Sequence, residues 1–151
     1  MSELIKLDND WLLGHCTDDP VRPHLPLAWR TNAGREVYGL QNDDGVIEAV
    51  ICVAYTNQVP LTESELDHYS QAASQDGQHG DIAVFYTVWS YVKGAGRKMV
   101  LDAAHEIKHK RPVHRFVTLS PLTEMAEKFH IRNGATLLKR GEECQNFEYV
   151  L

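Results

Sequence analysis

Two glycines lie where a strand-like segment of this chain passes into a helix-forming one. Gly94 and Gly96 follow the apolar run 82–89, and Arg97 and Lys98 come directly after them. Glycine lets the backbone approach a ligand closely, and the free N–H groups in the first turn of a helix attract anions. Cations in that turn are unfavourable unless an anion balances them. The junction therefore predicts a phosphate-binding site.

The spacing of these glycines argues against one common use of such a junction. A dinucleotide-binding fingerprint needs a third glycine three residues further on, and position 99 is a methionine. A nicotinamide-binding Rossmann site is therefore not predicted.

Ser120 and His130 are the two residues that we expect to perform chemistry. Ser120 ends a predicted strand, where open α/β sheets bind their ligands, and His130 lies on the predicted helix 121–132 at the margin of its apolar stripe. That stripe comprises Leu122, Met125, Ala126 and Phe129. A histidine with a pKa near the working pH serves as a general acid. The structural alternatives are an N-cap role for Ser120, before Pro121, and a satisfied, partly buried His130.

The segment 105–109 matches the zinc-protease pattern H-E-x-x-H, in which two histidines bind the metal and a glutamate acts as base. His105 and His109 lie opposite the apolar side of the predicted helix 96–110, so both should face solvent. Lys108 would repel a dication, and Pro112 stands where the extended motif has glycine. We therefore predict no metal site here.

Hydrophobic periodicity and turn residues predict the elements that position these side chains. The predicted strands are 36–41, 46–55, 82–89, 115–119, 136–139 and 145–151. The predicted helices are 96–110, 121–132 and a short one from the capping box 62–65 to the polar break 76–80. Prolines break up the first forty residues, for which we expect a short element and an ordered loop. The unit 82–119 implies a parallel crossover.

Composition limits the class of protein. The chain has 151 residues, 43% of them hydrophobic, and a net charge of −6. These values favour a single domain, 1–151, and argue against a nucleic-acid partner. We find neither a membrane-spanning run nor a signal peptide, so we expect a cytoplasmic protein without a membrane partner. Three widely spaced cysteines predict reduced thiols, and the basic cluster at 93–115 suits a small polyanionic ligand.

Two motifs resemble those of the GNAT superfamily of acyltransferases. The segment 91–96 resembles the acyl-CoA pyrophosphate loop Arg/Gln-x-x-Gly-x-Gly/Ala, with Tyr91 in the Arg/Gln position. The segment 126–135 resembles a second GNAT motif, in which His130 replaces a tyrosine that protonates the departing CoA thiolate. Thr123 stands where many members have a CoA-contacting asparagine.

The resemblance implies an α/β (α+β) domain of GNAT type, with a mixed central sheet and helices on both faces. It implies a cleft for acyl-CoA, as substrate, where the strand ending near Trp89 diverges from the one ending near Ser120. The residues that it assigns to acyl-CoA are Val88, Trp89, Ser90, Lys93, Gly94, Ala95, Gly96, Arg97 and Lys98.

A narrower resemblance concerns the GNAT-like catalytic domain of malonyl-CoA decarboxylases. The similar segments are 85–88, 118–121 and 129–135. This resemblance implies that Ser120 and His130 are the catalytic pair. The separate helical domain of those enzymes has no counterpart in this sequence.

The sequence thus predicts an acyl-CoA-dependent enzyme, foremost an N-acetyltransferase or other acyltransferase that acts on a small-molecule acceptor. The first alternative is decarboxylation of a malonyl-type thioester, with Ser120 and His130 stabilising an enolate oxygen and donating a proton. The second is a non-catalytic regulatory module that binds coenzyme A. A homodimer is left open, and neither the acyl chain nor the acceptor follows from the residues.

Overall fold

A computed structural model describes residues 2–9, 14–75 and 80–151. Eight strands form one sheet. They are β1 (Glu3–Lys6), β2 (Glu36–Gln41), β3 (Ile47–Thr56), β4 (Ile82–Ser90), β5 (Arg115–Thr118), β6 (Ser120–Pro121), β7 (Thr136–Arg140) and β8 (Cys144–Tyr149). The helices are a 3₁₀ helix (Gly14–Asp18), α1 (Leu27–Thr31), α2 (Glu63–Gln75), α3 (Ala95–Lys110) and α4 (Glu124–Arg132).

The strands follow the spatial order β1-β2-β3-β4-β5-β8-β6, and β7 pairs with β8. β4 and β5 are parallel, with α3 as the crossover between them, and the other described pairs are antiparallel. The prediction of a mixed sheet with a parallel crossover at 82–119 is therefore confirmed. None of the described helices is both long and apolar enough to cross a membrane.

Helices cover both faces of the sheet, as predicted. Met99 and Ile107 of α3 and Phe129 of α4 pack on one face. Trp29 of α1 and Leu66 of α2 pack on the other. Successive side chains of a strand point to opposite faces, so β3, which is buried at every position except the half-buried Glu48, contributes to both layers.

Local sequence signals placed most of these elements within two residues of the observed ends. At the predicted hairpin, the Asn42 side chain accepts hydrogen bonds from the amides of Asp44 and Val46, and Gly45 adopts a φ of 81°. The Thr62 hydroxyl caps α2 by accepting from the Glu65 amide at 3.1 Å. The predicted end of that helix at 76–80 falls partly outside the described residues.

Two predictions about the last helix are wrong. The last helix begins at Glu124 and its N-cap is Thr123, whose hydroxyl accepts from the Ala126 amide at 3.2 Å. Ser120 is therefore not the N-cap, because it pairs with Gln145 as part of β6. The predicted apolar stripe of this helix is not its buried face, since Leu122 and Met125 are exposed.

Candidate functional site

β4 and β5 separate after a short parallel register. Their pairing ends at Phe85 and Thr118, and one further bond runs from the Leu119 amide to the Phe85 carbonyl at 3.1 Å. The chain then turns into β6, which pairs with β8 instead of β4. On its other side, β4 carries an irregularity in its register with β3 between Cys52 and Val53. We refer to the point where the strands separate as the fork.

A cavity of about 640 Å³ opens at the fork. Its position is the one at which the sequence predicts a cleft for acyl-CoA. The lining residues come from the segment after the 3₁₀ helix, from β4, from α3, from the chain between β5 and α4, and from α4 itself. They are Pro20, Val21, Phe85, Tyr86, Thr87, Val88, Trp89, Ser90, Gly96, Leu119, Ser120, Pro121, Thr123, Met125, Ala126, Phe129 and His130.

The cavity brings together six of the eleven predicted site residues. These are Val88, Trp89, Ser90, Gly96, Ser120 and His130. The remaining residues assigned to acyl-CoA lie beside the cavity without lining it. They are Lys93, Gly94, Ala95, Arg97 and Lys98. Both proposed chemical groups therefore face the same space, and the predicted phosphate loop lies at its rim.

At the start of α3, the two glycines adopt backbone positions that favour glycine. Gly94 is the N-cap, with a φ of 86° in the left-handed region. A Cβ at Gly94 would meet nothing within 4 Å, so the space above this residue is open. A Cβ at Gly96 would lie 3.1 Å from Cε1 of Phe129. A side chain at position 96 would therefore require the Phe129 ring in the cavity wall to shift by a few tenths of an ångström.

The cations near this loop differ in their availability. Lys98 forms an ion pair with Asp102 at 2.6 Å, one helical turn further on. Within the described part of the chain, neither Lys93 nor Arg97 forms an ion pair, and both are exposed. Tyr91, which takes the Arg/Gln position of the resembled motif, donates its hydroxyl to Asp18 at 2.8 Å. Lys93 and Arg97 are thus the cations left for an anionic ligand.

Ser120 is buried in the cavity wall. Its hydroxyl donates to the hydroxyl oxygen of Thr118 at 2.8 Å. Thr118 Oγ1 also accepts from the Phe147 amide at 3.0 Å, so the serine oxygen has a fixed neighbour. The lone pairs of Ser120 Oγ remain available to accept a hydrogen bond in the cavity.

His130 is the buried residue of α4, with 6% of its surface exposed. Its ring stacks on Phe147, and its Nδ1 lies 2.7 Å from the Tyr149 hydroxyl oxygen. Burial lowers the pKa of His130 to about 4. The prediction of a pKa near the working pH is therefore wrong: the desolvated ring is neutral at pH 7 and carries one N–H.

Sequence reasoning did not single out Tyr149, the partner of His130, nor a set of buried charges at the fork. Asp19 and Arg30 form a fully buried ion pair at 2.7 Å. Asp19 also accepts a hydrogen bond from the Thr87 hydroxyl at 2.8 Å, and Arg22 reaches backbone carbonyls of two strands. The signal was the charged, proline-rich segment 18–30, in which two arginines follow two aspartates. A charge pattern alone does not distinguish a buried hydrogen-bond network from a solvent-exposed loop.

The histidines of the H-E-x-x-H segment do not line the cavity. Both are exposed on α3, as predicted, and their rings contact each other with centroids 4.4 Å apart. Glu106 forms an ion pair with Lys110. Across residues 2–9, 14–75 and 80–151, no group of three potential metal ligands occurs.

The cavity wall is mostly apolar, with hydroxyl groups and one imidazole as its polar side chains. Among the described lining residues there is no Asp, Glu, Lys or Arg. Asp19, which directly precedes the lining residue Pro20, already accepts from Arg30, Thr87 and the amides of Val21 and Arg22. Such a wall suits an elongated, largely uncharged group that ends beside Ser120 and His130.

Solved structures share this fold. The chain superimposes on malonyl-CoA decarboxylase from Agrobacterium vitis with a TM-score of 0.67 and 18% identity, covering 85% of this chain and 35% of that one. It matches a GNAT-family acetyltransferase from Staphylococcus aureus with a TM-score of 0.64 and 11% identity over 98% of both chains. A Bacillus subtilis acetyltransferase in complex with CoA matches with a TM-score of 0.59 and 13% identity, covering 97% and 93%.

These likenesses show that the chain has the GNAT fold, an α/β domain with a mixed sheet. The chain spans about a third of the length of the decarboxylase. No family model matches the sequence. No curated protein matches it either.

Proposed function

We propose that this chain is an acyl-CoA-dependent acyltransferase, which moves an acyl group from coenzyme A to a small acceptor in the cavity at the fork. The observation that carries this proposal is the continuity of the site. One cavity extends from Gly96, at the N-terminus of α3, along the open edge of β4 to Ser120 and His130. A ligand with a phosphate end, a long flexible arm and a reactive thioester matches these three regions in order.

The phosphate end of coenzyme A would lie at the start of α3. The first amides of a helix have no acceptor within the helix, and the helix dipole favours an anion there. The open space over Gly94 leaves room for a pyrophosphate, and Lys93 and Arg97 are exposed beside it. Backbone amides would supply the remaining phosphate contacts, since the Tyr91 hydroxyl already donates to Asp18.

The arm and the thioester would follow β4. Beyond Phe85 this strand has no pairing with β5, and Arg22 occupies the Tyr86 carbonyl, so the backbone from Thr87 onward would bond an extended chain that carries amide groups. In the transfer, the acyl–sulfur bond breaks and a bond from the acyl carbon to the acceptor forms. The acceptor's proton would pass to the departing thiolate, and we propose that the neutral His130 and the Ser120 hydroxyl relay it.

Decarboxylation of a malonyl-type thioester is the second candidate, favoured by the uncharged wall described above. A carboxylate is costly to desolvate in an apolar cavity, and loss of CO₂ removes its charge. The bond from the carboxylate carbon to the α carbon would break and release CO₂, and its electron pair would form an enolate. The N–H of His130 would donate a hydrogen bond to the enolate oxygen, as would the Ser120 hydroxyl once it turns from Thr118, and the α carbon would then take a proton from water.

Two assays with the purified protein test the proposal. Thiol release from acetyl-CoA, with and without a panel of small amines, measures transfer, and conversion of malonyl-CoA to acetyl-CoA measures decarboxylation. We expect acceptor-dependent thiol release that His130→Ala reduces by about 10²–10⁴-fold, while His105→Gln, at an exposed position, has the wild-type rate. Conversion of malonyl-CoA without acceptor-dependent thiol release would support the second candidate. Coenzyme A binding without any turnover would leave a regulatory module.

His130→Tyr separates the two enzymatic candidates, because it introduces the residue that the resembled GNAT motif has at this position. Retained transfer in this variant would support an acyltransferase. Loss of malonyl-CoA conversion in the same protein would support a decarboxylase.

A further inference from the structure

The fork creates a local problem in hydrogen bonding. The Leu119 carbonyl lies beyond the last bond between β4 and β5, and Tyr86 is the residue that the register between β3 and β4 skips, so both carbonyls lose the strand partner that a regular sheet would supply. Buried carbonyl groups need donors, and an unsatisfied one destabilises the fold. Both residues line the cavity, so whatever supplies these donors also shapes the site.

Arg22 supplies both donors from outside the sheet. Its Nε donates to the Tyr86 carbonyl at 3.0 Å, and its Nη2 donates to the Leu119 carbonyl at 2.7 Å. The side chain is 6% exposed. A guanidinium is planar and its donors have a fixed geometry, so one group spans the two strands at a set separation.

Arg22 is itself held by a buried network. Its amide donates to Asp19 Oδ1 at 3.0 Å, and its carbonyl accepts from Arg30 Nη2 at 2.7 Å. Asp19 and Arg30 form the fully buried ion pair, and the Thr87 hydroxyl of β4 donates to the same Asp19 oxygen. The backbone of Arg22 is therefore tied to β4 on one side, while its guanidinium reaches both strands.

We propose that Arg22 is a positioning residue for the reaction in this cavity, and this inference rests on the proposed function of the site. Its guanidinium fixes the separation of β4 and the β5–β6 segment at the fork. Ser120 follows Leu119 directly, and Thr87 follows Tyr86, so this separation sets where the Ser120 hydroxyl lies relative to a thioester on β4. The start of α3, where coenzyme A would bind, has no contact with Arg22 among the described hydrogen bonds.

This arrangement predicts a specific kinetic change. Arg22→Gln removes the two-strand contact but not the α3 loop, so kcat should fall by about tenfold or more while the Kd for coenzyme A stays close to the wild-type value. Arg22→Lys keeps the charge, but a single ammonium group cannot reproduce the planar fork and should lower kcat as well. In Arg22→Ala, added guanidinium chloride at non-denaturing concentration should restore part of the lost kcat.

Arg35→Gln is the matched control. Arg35 is also a buried guanidinium, with 1% exposure and bonds to Ser70, the Trp29 carbonyl and Asp67, but it does not touch the cavity. The Arg35→Gln variant should have a lower unfolding midpoint and an unchanged kcat. A wild-type kcat in Arg22→Gln, or in Arg22→Lys if the glutamine variant does not fold, overturns the proposal.

The same measurements separate this inference from the proposed function. If wild-type protein turns over neither acetyl-CoA nor malonyl-CoA and its melting temperature does not respond to coenzyme A, the function proposed for the site is wrong. If wild-type protein is active and the Arg22 variants match it, only the positioning role is wrong.

Discussion

His130 Nδ1 and the Tyr149 hydroxyl share a hydrogen bond of 2.7 Å in the wall of the cavity. The phenol has a raised pKa because it is buried, so it stays protonated and can donate to Nδ1. When the phenol donates, the single N–H of the neutral imidazole lies on Nε2. The contact with Tyr149 therefore couples the direction of this hydrogen bond to the tautomer of His130.

The lowered pKa of His130 predicts a pH dependence of stability. Its value falls from 6.5 to about 4 on folding, so between these values the unfolded state binds more protons. The free energy of unfolding should therefore decrease as the pH falls from 6.5 to 4, by about 3 kcal/mol in total. Denaturant titrations across this range should show a smaller decrease in His130→Gln. The exposed His105→Gln serves as the control, and an equal decrease in all three proteins would contradict the assignment.

Ser120 and Thr123 should separate catalysis from capping. Thr123 is the observed N-cap of α4, so Thr123→Ala should lower the free energy of unfolding by about 1 kcal/mol. Ser120→Ala leaves Thr118 Oγ1 bonded to the Phe147 amide and should cost less than this. The kcat of Ser120→Ala should nevertheless fall. Denaturant titrations and turnover rates of both variants separate a loss of stability from a loss of catalysis, and an unchanged kcat in Ser120→Ala would remove this residue from the mechanism.

Gly96→Ala should weaken coenzyme A binding. The added Cβ would approach the Phe129 ring to 3.1 Å, so the ring must shift within the cavity wall. We expect the Kd for coenzyme A, measured by calorimetry, to rise by about tenfold. Gly94→Ala is the comparison, because it meets no neighbouring atom but strains a φ of 86° and should cost about 1 kcal/mol of stability. Wild-type affinity in Gly96→Ala would show that Phe129 does not contact the ligand.

Asp19→Asn should be among the most destabilising polar substitutions. It leaves the fully buried Arg30 guanidinium without its charge partner, which typically costs about 3–5 kcal/mol. Glu124→Gln breaks the exposed pair with Lys128 and should change stability by about 0.5 kcal/mol or less. Unfolding midpoints measure both, and similar small losses would mean that the Asp19–Arg30 pair is solvated.

The sequence predicted the parts of the fold whose local signals agree with their tertiary role. The turn before Gly45, the capped start of α2 and the apolar side of α3 are examples, because each depends on residues close together in the chain. The start of α4 was misplaced because Pro121 suits a first helical turn, and only the pairing of Ser120 with Gln145 shows that the strand continues.

The site was predictable to a similar extent. Gly96, Ser120 and His130 could be placed together from motif order and strand ends. The contacts of Arg22 with two carbonyls, and the burial that lowers the His130 pKa, depend on residues distant in the chain. Neither leaves a periodic or local signal that sequence reasoning could use.

Thermal unfolding with and without millimolar coenzyme A tests the central claim most directly, because a ligand that binds only the folded state raises its stability. We predict a higher melting temperature for wild-type protein and a smaller rise for Gly96→Ala. An unchanged wild-type melting temperature would contradict a coenzyme A site at the fork.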